Sequence, residues 1–404
     1  MLTMIAWKNV WRSKRRSAIM VTAIAVGLWG GLFAVGIFTG MYDTMVNSAI
    51  DRQFGHIQLH AKGFRSERLI TMTLPAPDST ISLLKAMAGI TQVSGRTIID
   101  GMGSSATSNQ GVTINGVDPD VERSVSSVAG RLVAGSYFEG NERLPILIGR
   151  KLAEKLALRL HGKLVLAFQN VDGTIVYGAF RIAGIFDTES NAFDGATVFV
   201  RRTDLDGLTG LHLIHELVVR LSSNDSLASL SRNIAARFPT LNVETWMDLA
   251  PELKLAAESS DVTMAIFLGI ILLALLFGIT NTMLMSVLDR TREFGVLMAV
   301  GMKRRRIFAM VVLEKMFLSI TGSVVGAILG AGCVAWFGRT GISLAWVSDG
   351  LSQYGISSML IPVVHPTLYP MLAIMVILAA CFAAVYPALK AIRLNPSKAI
   401  ASFG

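Results

Sequence analysis

The sequence predicts an α+β membrane protein with four transmembrane helices and one large extracytoplasmic, two-lobed α/β domain between the first and second. Three observations carry this. Of 404 residues, 52% are hydrophobic and only 16% charged, where an ordinary soluble domain carries about 25% charged residues. The apolar residues gather in four runs, each long enough for the roughly 20 helical residues that span a bilayer core. Between the first two runs, residues 47–261 turn to alternating apolar and polar positions punctuated by Gly, Asp, Asn and Ser, the pattern of strands and turns.

Residues 1–16 hold Lys8, Arg12, Lys14, Arg15 and Arg16 and no acid. Trp7 and Trp11 lie four apart, so they share a helix face. This suits a short cytoplasmic helix in the membrane interface, or simply a basic flank to a span. Ser17 to Tyr42 is uncharged, much longer than the roughly 7–15 apolar residues of a signal peptide, and no convincing cleavage site follows. The expected first span is residues 17–46. Gly27, Gly30, Gly31, Gly36 and Gly40 would allow close helix contact.

Strands are expected at 56–60, 97–99, 112–115, 144–148, 163–168, 180–186, 197–200, 216–221 and 241–244, and helices at 80–87, 150–158, 202–208 and 226–238. Each end of the domain reads strand–helix–strand. That predicts two βαβ halves forming one α/β lobe, with a mostly β lobe inserted between them. The remaining expectations are a second span at 262–288, a polar segment at 289–306, a third span at 307–337, an extracytoplasmic loop at 338–367, a fourth span at 368–389 and a basic tail at 390–404. The N-terminus, the polar segment and the tail carry five, six and three Lys or Arg. The positive-inside rule places these in the cytoplasm and the large domain outside. The net charge of +9 thus reads as topology, with no nucleic-acid partner implied.

No P-loop pattern occurs, nor Cys-x-x-Cys or His-Glu-x-x-His, and Cys333 and Cys381 sit inside apolar runs, poorly placed for a disulfide. His212, His215 and Glu216 form a short cluster without an evident third ligand for a metal. His56 and His60 are expected on the solvent face of a strand. No catalytic set, cofactor site or metal site is expected, so the chain reads as a non-enzyme. Glu314 is a charge in the first turns of the third span, costly there unless it reaches the interface or a protein partner. It either snorkels or pins the span to the polar segment. Within that segment Phe294, Leu297, Met298 and Gly301 fall at i, i+3, i+4 and i+7, an apolar helical stripe, and Arg290 and Glu293 stand at pairing distance. A merely topogenic loop needs no such stripe, so a docking helix is expected.

Residues 292–304, Arg-Glu-Phe-Gly-Val-Leu-Met-Ala-Val-Gly-Met-Lys-Arg, resemble the R-E-I-G-x-L-R-A-x-G-A signature of FtsX-like permeases, the membrane subunits of MacB/LolCDE-type (type VII) ABC transporters. Phe294 and Met298 depart from the Ile and Arg common there. The tail from Tyr386 to Ile400 resembles the family's closing P-A-x-x-A-x-R-x-x-P motif, and Ala6–Arg12 its opening A-x-R-N-L-x-R. Residues 54–64, and 184–188 with Asp194, look like LolC/LolE lipoprotein-releasing permeases. The absence of an ATPase sequence in the chain fits LolC/LolE better than MacB.

The resemblance implies a porter lobe (about 47–119 and 213–261) and a sabre lobe (about 120–212). It implies a dimer with a second permease copy or paralogue in a bacterial inner (plasma) membrane. Each copy would grip a LolD/MacB-like ATPase subunit that binds ATP and Mg; this chain would bind no cofactor. Docking is expected through Arg290, Arg292, Glu293, Phe294, Gly295, Leu297, Met298, Gly301, Lys303 and Arg304. The cargo would be a lipoprotein, passed to a periplasmic carrier after its acyl chains enter a cavity of Phe38, Met41, Tyr42, Met45, Met264, Phe267, Leu268 and Ile271. Methionines suit such chains because they repack easily. The alternatives are a MacB-like mechanotransmission efflux permease and an FtsX-like regulator of an extracellular hydrolase.

Overall fold

The computed structural model describes residues 2–392 except 13, 141, 345, 347–349, 351 and 353–358. Most of the expected basic tail, including Arg393 and Lys398, lies outside the described residues, as does part of the 338–367 loop. The chain divides into a helical membrane unit (up to Tyr42, Ala257–Ser343 and from Leu360) and an α/β unit built mainly on Asp43–Ala256.

Among the described residues, four helices are long and apolar enough to cross a membrane: Ser17–Phe54, Val262–Leu288, Arg304–Thr340 and Leu368–Lys390. The first, at 38 residues, measures roughly 57 Å at about 1.5 Å per residue and outruns a core of about 30 Å. Helix Leu2–Arg12 lies ahead of it in the chain. The Ser17 hydroxyl donates to the Val10 carbonyl, and the Trp7 ring stands edge-on to Phe317 at 5.4 Å.

The membrane core joins Ile24, Leu28 and Leu32 of the first span to Ile279 and Met283 of the second, Leu318 of the third and Val376 and Ala380 of the fourth. Only 6% of the second span's apolar window is buried, against 39%, 39% and 28% for the others, so it is the peripheral helix. Of the glycines expected in close contact, Gly27 meets Leu275, Gly36 meets Val364 and Gly40 meets Ile361, and a stripe on the third span adds to them. Gly322, Gly326 and Gly330 of the third span meet Ile24, Ala25 and Leu32 of the first. A Cβ on Gly326 would stand 2.7 Å from the Ala25 carbonyl oxygen. A Cβ on Gly30 or Gly31, also expected in such contacts, would meet nothing within 4 Å beyond its own helix.

Among the described residues, the α/β unit is built on ten strands: β1 (Ile57–Ala61), β2 (Ile90–Ser104), β3 (Asn109–Val117), β4 (Leu132–Gly135), β5 (Pro145–Gly149), β6 (Lys163–Gln169), β7 (Ile175–Phe186), β8 (Thr197–Arg201), β9 (Glu216–Leu221) and β10 (Leu241–Thr245). They run in the order β10-β1-β9-β2-β3-β8-β5-β7-β4, with β6 pairing β2 and β7. Helix Pro77–Lys85 links β1 to β2, and helix Leu227–Arg237 links β9 to β10. The four strands β10-β1-β9-β2 therefore form a split βαβ arrangement, as the matching ends of the domain predict. The other half packs Ile114, Ile146, Leu164, Phe180 and Val198 into its own core.

β2 differs most from expectation. It is 15 residues long and serves both halves: Ile90–Arg96 pair with β9, Thr97–Ser104 with β3 and Gly101–Ser104 with β6. Gly95, Gly101 and Gly103 look like breakers in the sequence, but in a strand glycine also marks close approach. A Cβ on Gly101 would stand 2.7 Å from the Ala167 carbonyl oxygen. The division between lobes thus runs through β2, with β3 on the far side, rather than at residue 119. The short strand β4 was not anticipated; it pairs with β7 through a bulge.

Candidate coupling site

The polar segment folds as helix Thr291–Ala299. Its end is a Schellman closure: Gly301 takes φ +94°, its N–H reaches the Met298 carbonyl at 3.1 Å, and the Met302 N–H reaches that of Leu297 at 3.0 Å. Glycine is needed there because an L side chain crowds a left-handed backbone. Exposed Lys303 and Arg304 follow and start the third span.

The helix has two faces, and the apolar stripe read from the sequence is the inner one. Phe294 is 1% exposed. It packs with Val287, Ile307, Met310, Val311 and Ala388, and Leu297, Met298 and Met302 lie against the same cluster. Gly295 is also buried. Phe294 and Gly295 are therefore closed to any docking partner, a correction to the expectation that they form its contact. The reason is geometric: the ends of the second, third and fourth spans offer an apolar socket that the stripe fills. The opposite face exposes Arg292, Val296, Ala299 and Val300, at i, i+4, i+7 and i+8. Val300 is 83% exposed.

A charged clasp sits beside Phe294. Arg290 donates through Nε to Glu293 at 2.8 Å and through Nη1 to Glu314 at 2.9 Å, with its guanidinium 5.5 Å from the Phe294 ring centroid. Lys315 donates to the other Glu314 oxygen at 3.3 Å, and Arg12 of the N-terminal helix donates to Glu293. Glu314 is thus the pin between span and segment. Burial opposes the Glu293 charge, yet Arg290 and Arg12 hold its carboxyl below the ordinary range.

Of the expected cargo residues, Phe38 and Phe267 touch, with ring centroids 4.8 Å apart. Met264 and Leu268 lie against the membrane core. Met41, Tyr42 and Ile271 are half-buried; so is Met45, which falls in the α/β unit.

Sequence reasoning missed a second charged centre, in the α/β unit. Residues Ile50–Phe54, at the end of the first long helix, form a π-helical turn. Arg96 of β2 donates to Glu122 at 2.6 Å, to Glu216 at 3.2 Å and to the Gln53 carbonyl of that turn at 2.7 Å. Ser126 and Ser127 donate to the carbonyls of Arg52 and Asp51, and Arg220 pairs with Asp51. No local pattern marks this centre: Arg96 stands among Ser94, Gly95 and Thr97.

His60 does not face solvent. It is 3% exposed and lies 3.3 Å from Glu216 and 3.4 Å from Glu244. Burial works against its charge, but the two carboxylates outweigh it and push its pKa up to about 9. These acids on neighbouring strands draw the ring inward. His56 is half-buried, and its Nδ1 accepts the Leu221 N–H at 3.3 Å. His215 is fully buried; its Nδ1 accepts the Ile98 N–H and its Nε2 donates to the Ile70 carbonyl. Among the described residues no group of three His, Cys, Asp or Glu could hold a metal.

A family model for the MacB-like periplasmic core domain matches residues 17–237, and one for the FtsX-like permease C-terminal region matches 265–396. The chain belongs to the FtsX-like, MacB-type permeases. This permease is 22% identical over 320 residues to the lipoprotein-releasing system transmembrane protein LolC of Xylella fastidiosa, covering 72% of this chain and 73% of that one. It is 25% identical over 344 residues to the macrolide export ATP-binding/permease protein MacB of a Shewanella species, covering 78% of this chain and 49% of that one. A 94-residue stretch is 40% identical to the MacB of Brucella abortus, 22% of this chain and 15% of that protein. Against some MacB relatives, then, this permease spans half their length or less.

Among solved structures, the periplasmic region of MacB from Actinobacillus actinomycetemcomitans is similar at 10% identity and a TM-score of 0.36, covering 52% of this chain and 97% of that one. The extracellular domain of the noncanonic ABC-type transporter YknZ from Gram-positive bacteria is similar at 16% identity and a TM-score of 0.34, covering 47% of this chain and all of that one. The permease is a multi-pass membrane protein of the MacB/LolC type.

Proposed function

We propose that this chain is the permease subunit of an ABC transporter that uses ATP hydrolysis by a partner subunit to extract lipoproteins from the outer leaflet of a bacterial inner membrane. The observation that carries it is the two-faced helix Thr291–Ala299. Its inner face is clasped to the span ends by Phe294 and Arg290, and its outer face presents Arg292, Val296 and Val300. A load applied to the outer face passes into the spans. The ATPase docks there, with ATP and Mg held by that partner, both termini in the cytoplasm and the α/β domain in the periplasm.

Energetics constrain the cargo step. An acyl chain of about 15 methylenes costs roughly 12 kcal/mol in water at about 0.8 kcal/mol per methylene, so it passes from lipid into an apolar surface. The Phe38–Phe267 pair, between the first span and the peripheral second one, supports such a surface, with a second permease copy closing it. The 320-residue likeness to LolC supports the same reading. A MacB-like exporter is the second reading, supported by the 344-residue likeness to MacB.

Depletion followed by lipoprotein fractionation tests the choice. Lipoproteins retained in the inner membrane support release. An unchanged distribution with raised macrolide sensitivity favours export. Crosslinking from positions 41 and 267 in the loaded complex tests the cargo surface; no lipoprotein adduct removes it.

A further inference from the structure

The π-helical turn Ile50–Phe54 borders a polar cavity of about 100 Å³ in the α/β unit. Arg52, Arg68, Arg96, Asn115 and Glu216 are in its lining. Glu216 is engaged by Arg96 and His60, and Arg96 is satisfied by Glu122, Glu216 and the Gln53 carbonyl. Arg52 is not. Its Nε and Nη1 are buried without a hydrogen-bond partner. Its guanidinium lies 5.6 Å from the centroid of the Phe193 ring. Two further lining donors are weakly held: Arg68 reaches Asp100 only at 3.8 Å, and the Asn115 amide reaches the Thr113 and Val198 carbonyls only at 3.5 Å.

A buried guanidinium with idle donors is costly. Its planar fork matches the paired oxygens of an oxyanion. The room suits one small anion, with about 30 Å³ as the share of a single water; a sugar or nucleotide would not fit. We propose that this cavity binds a phosphate-class oxyanion, taken by the Arg52 guanidinium with Arg68 and Asn115 completing its donors. The phosphate is either free or the exposed end of a lipid headgroup. Its binding ties the turn to the sheet through Arg52, beside the link already made by Arg96. This is independent of which cargo the transporter moves.

The test is equilibrium binding of radiolabelled inorganic phosphate to the purified full chain in nanodiscs of zwitterionic lipid. One saturable site per chain is expected, weakened at least tenfold in Arg52→Gln and unchanged in Arg123→Gln, whose arginine pairs with Glu139 elsewhere. Arg52→Lys, which keeps the charge and loses the fork, is expected to melt like the parent and bind several-fold more weakly. Repeating the titration with phosphatidic acid in the disc separates the sources: competition assigns a headgroup, and no competition a free ion. Absence of saturable binding to the parent chain, or equal binding by Arg52→Gln and Arg52→Lys, would overturn the proposal.

Discussion

Two arginines hold helix junctions in this protein, one in each unit, and they do so differently. Arg96 is enclosed, its side chain 3% exposed, and its partners Glu122 and Glu216 are 1% and 11% exposed. Arg290 is 15% exposed, and it shares Glu293, 40% exposed, with Arg12. An enclosed ion network has no alternative partner, because water cannot replace a lost carboxylate. A half-open one can exchange partners at modest cost. The junction in the α/β unit is thus closed on every side, and the one in the membrane unit is open only on its Glu293 side, with Glu314, 7% exposed, held inside.

Arg96→Met gives the largest expected effect. It leaves Glu122 buried without its cation and should cost about 3–5 kcal/mol, read from denaturant melts of the purified chain. A loss under about 1 kcal/mol would place Arg96 among ordinary surface pairs and erase the contrast.

Next comes Phe294→Ala, expected to cost about 3 kcal/mol through the cavity it leaves and to abolish stimulation of the partner ATPase. Limited proteolysis at residues 289–306 should accelerate with it. Full coupling in this variant would mean that the apolar socket is not what fixes the helix.

The third prediction concerns pH. His60 rises from an ordinary 6.5 to about 9 in the fold, so its stabilisation is whole below pH 6.5 and is lost as pH climbs through 9. Its acids work in the other direction. Burial opposes the Glu216 charge, but His60 and Arg96 outweigh it and lower its pKa. Bonding to His60 lowers that of Glu244 despite partial burial. Their contribution holds above pH 4.5 and fades below it. Melts of the parent chain should weaken by on the order of 2–3 kcal/mol between pH 6.5 and 9, and His60→Asn should flatten that slope. A slope that survives the substitution belongs to other groups.

Val300→Asp is the smallest change in stability, under about 0.5 kcal/mol at so exposed a site. It should still cut ATPase stimulation at least tenfold. Stimulation that persists would move the docking surface off the outer face and sharpen the question of what the clasp responds to.

The four spans were legible because long uncharged runs have few other uses, and the split βαβ lobe because its two ends repeat one pattern. The helix at 291–299 was legible too, yet its orientation was not. Periodicity shows that Phe294, Leu297 and Met298 share a face but not what that face meets. A stripe that closes on its own spans looks the same in sequence as one that docks a partner. β2 escaped because its glycines serve close packing against β6. The network at Arg96 escaped because its members lie far apart in the chain: Gln53, Glu122 and Glu216 meet only once the sheet has formed.

The shared strand β2 has a consequence for modularity. Because Ile90–Arg96 belong to one half of the sheet and Thr97–Ser104 to the other, neither half has a complete edge without it. The inserted lobe therefore cannot be exchanged between relatives as a cassette cut at residues 120 and 212. Such a graft strips β3 of β8 and parts β2 from β6. A transplant that travels must carry the chain from Thr97 onward and rejoin it ahead of β9, so that recombination respects the strand rather than the loop.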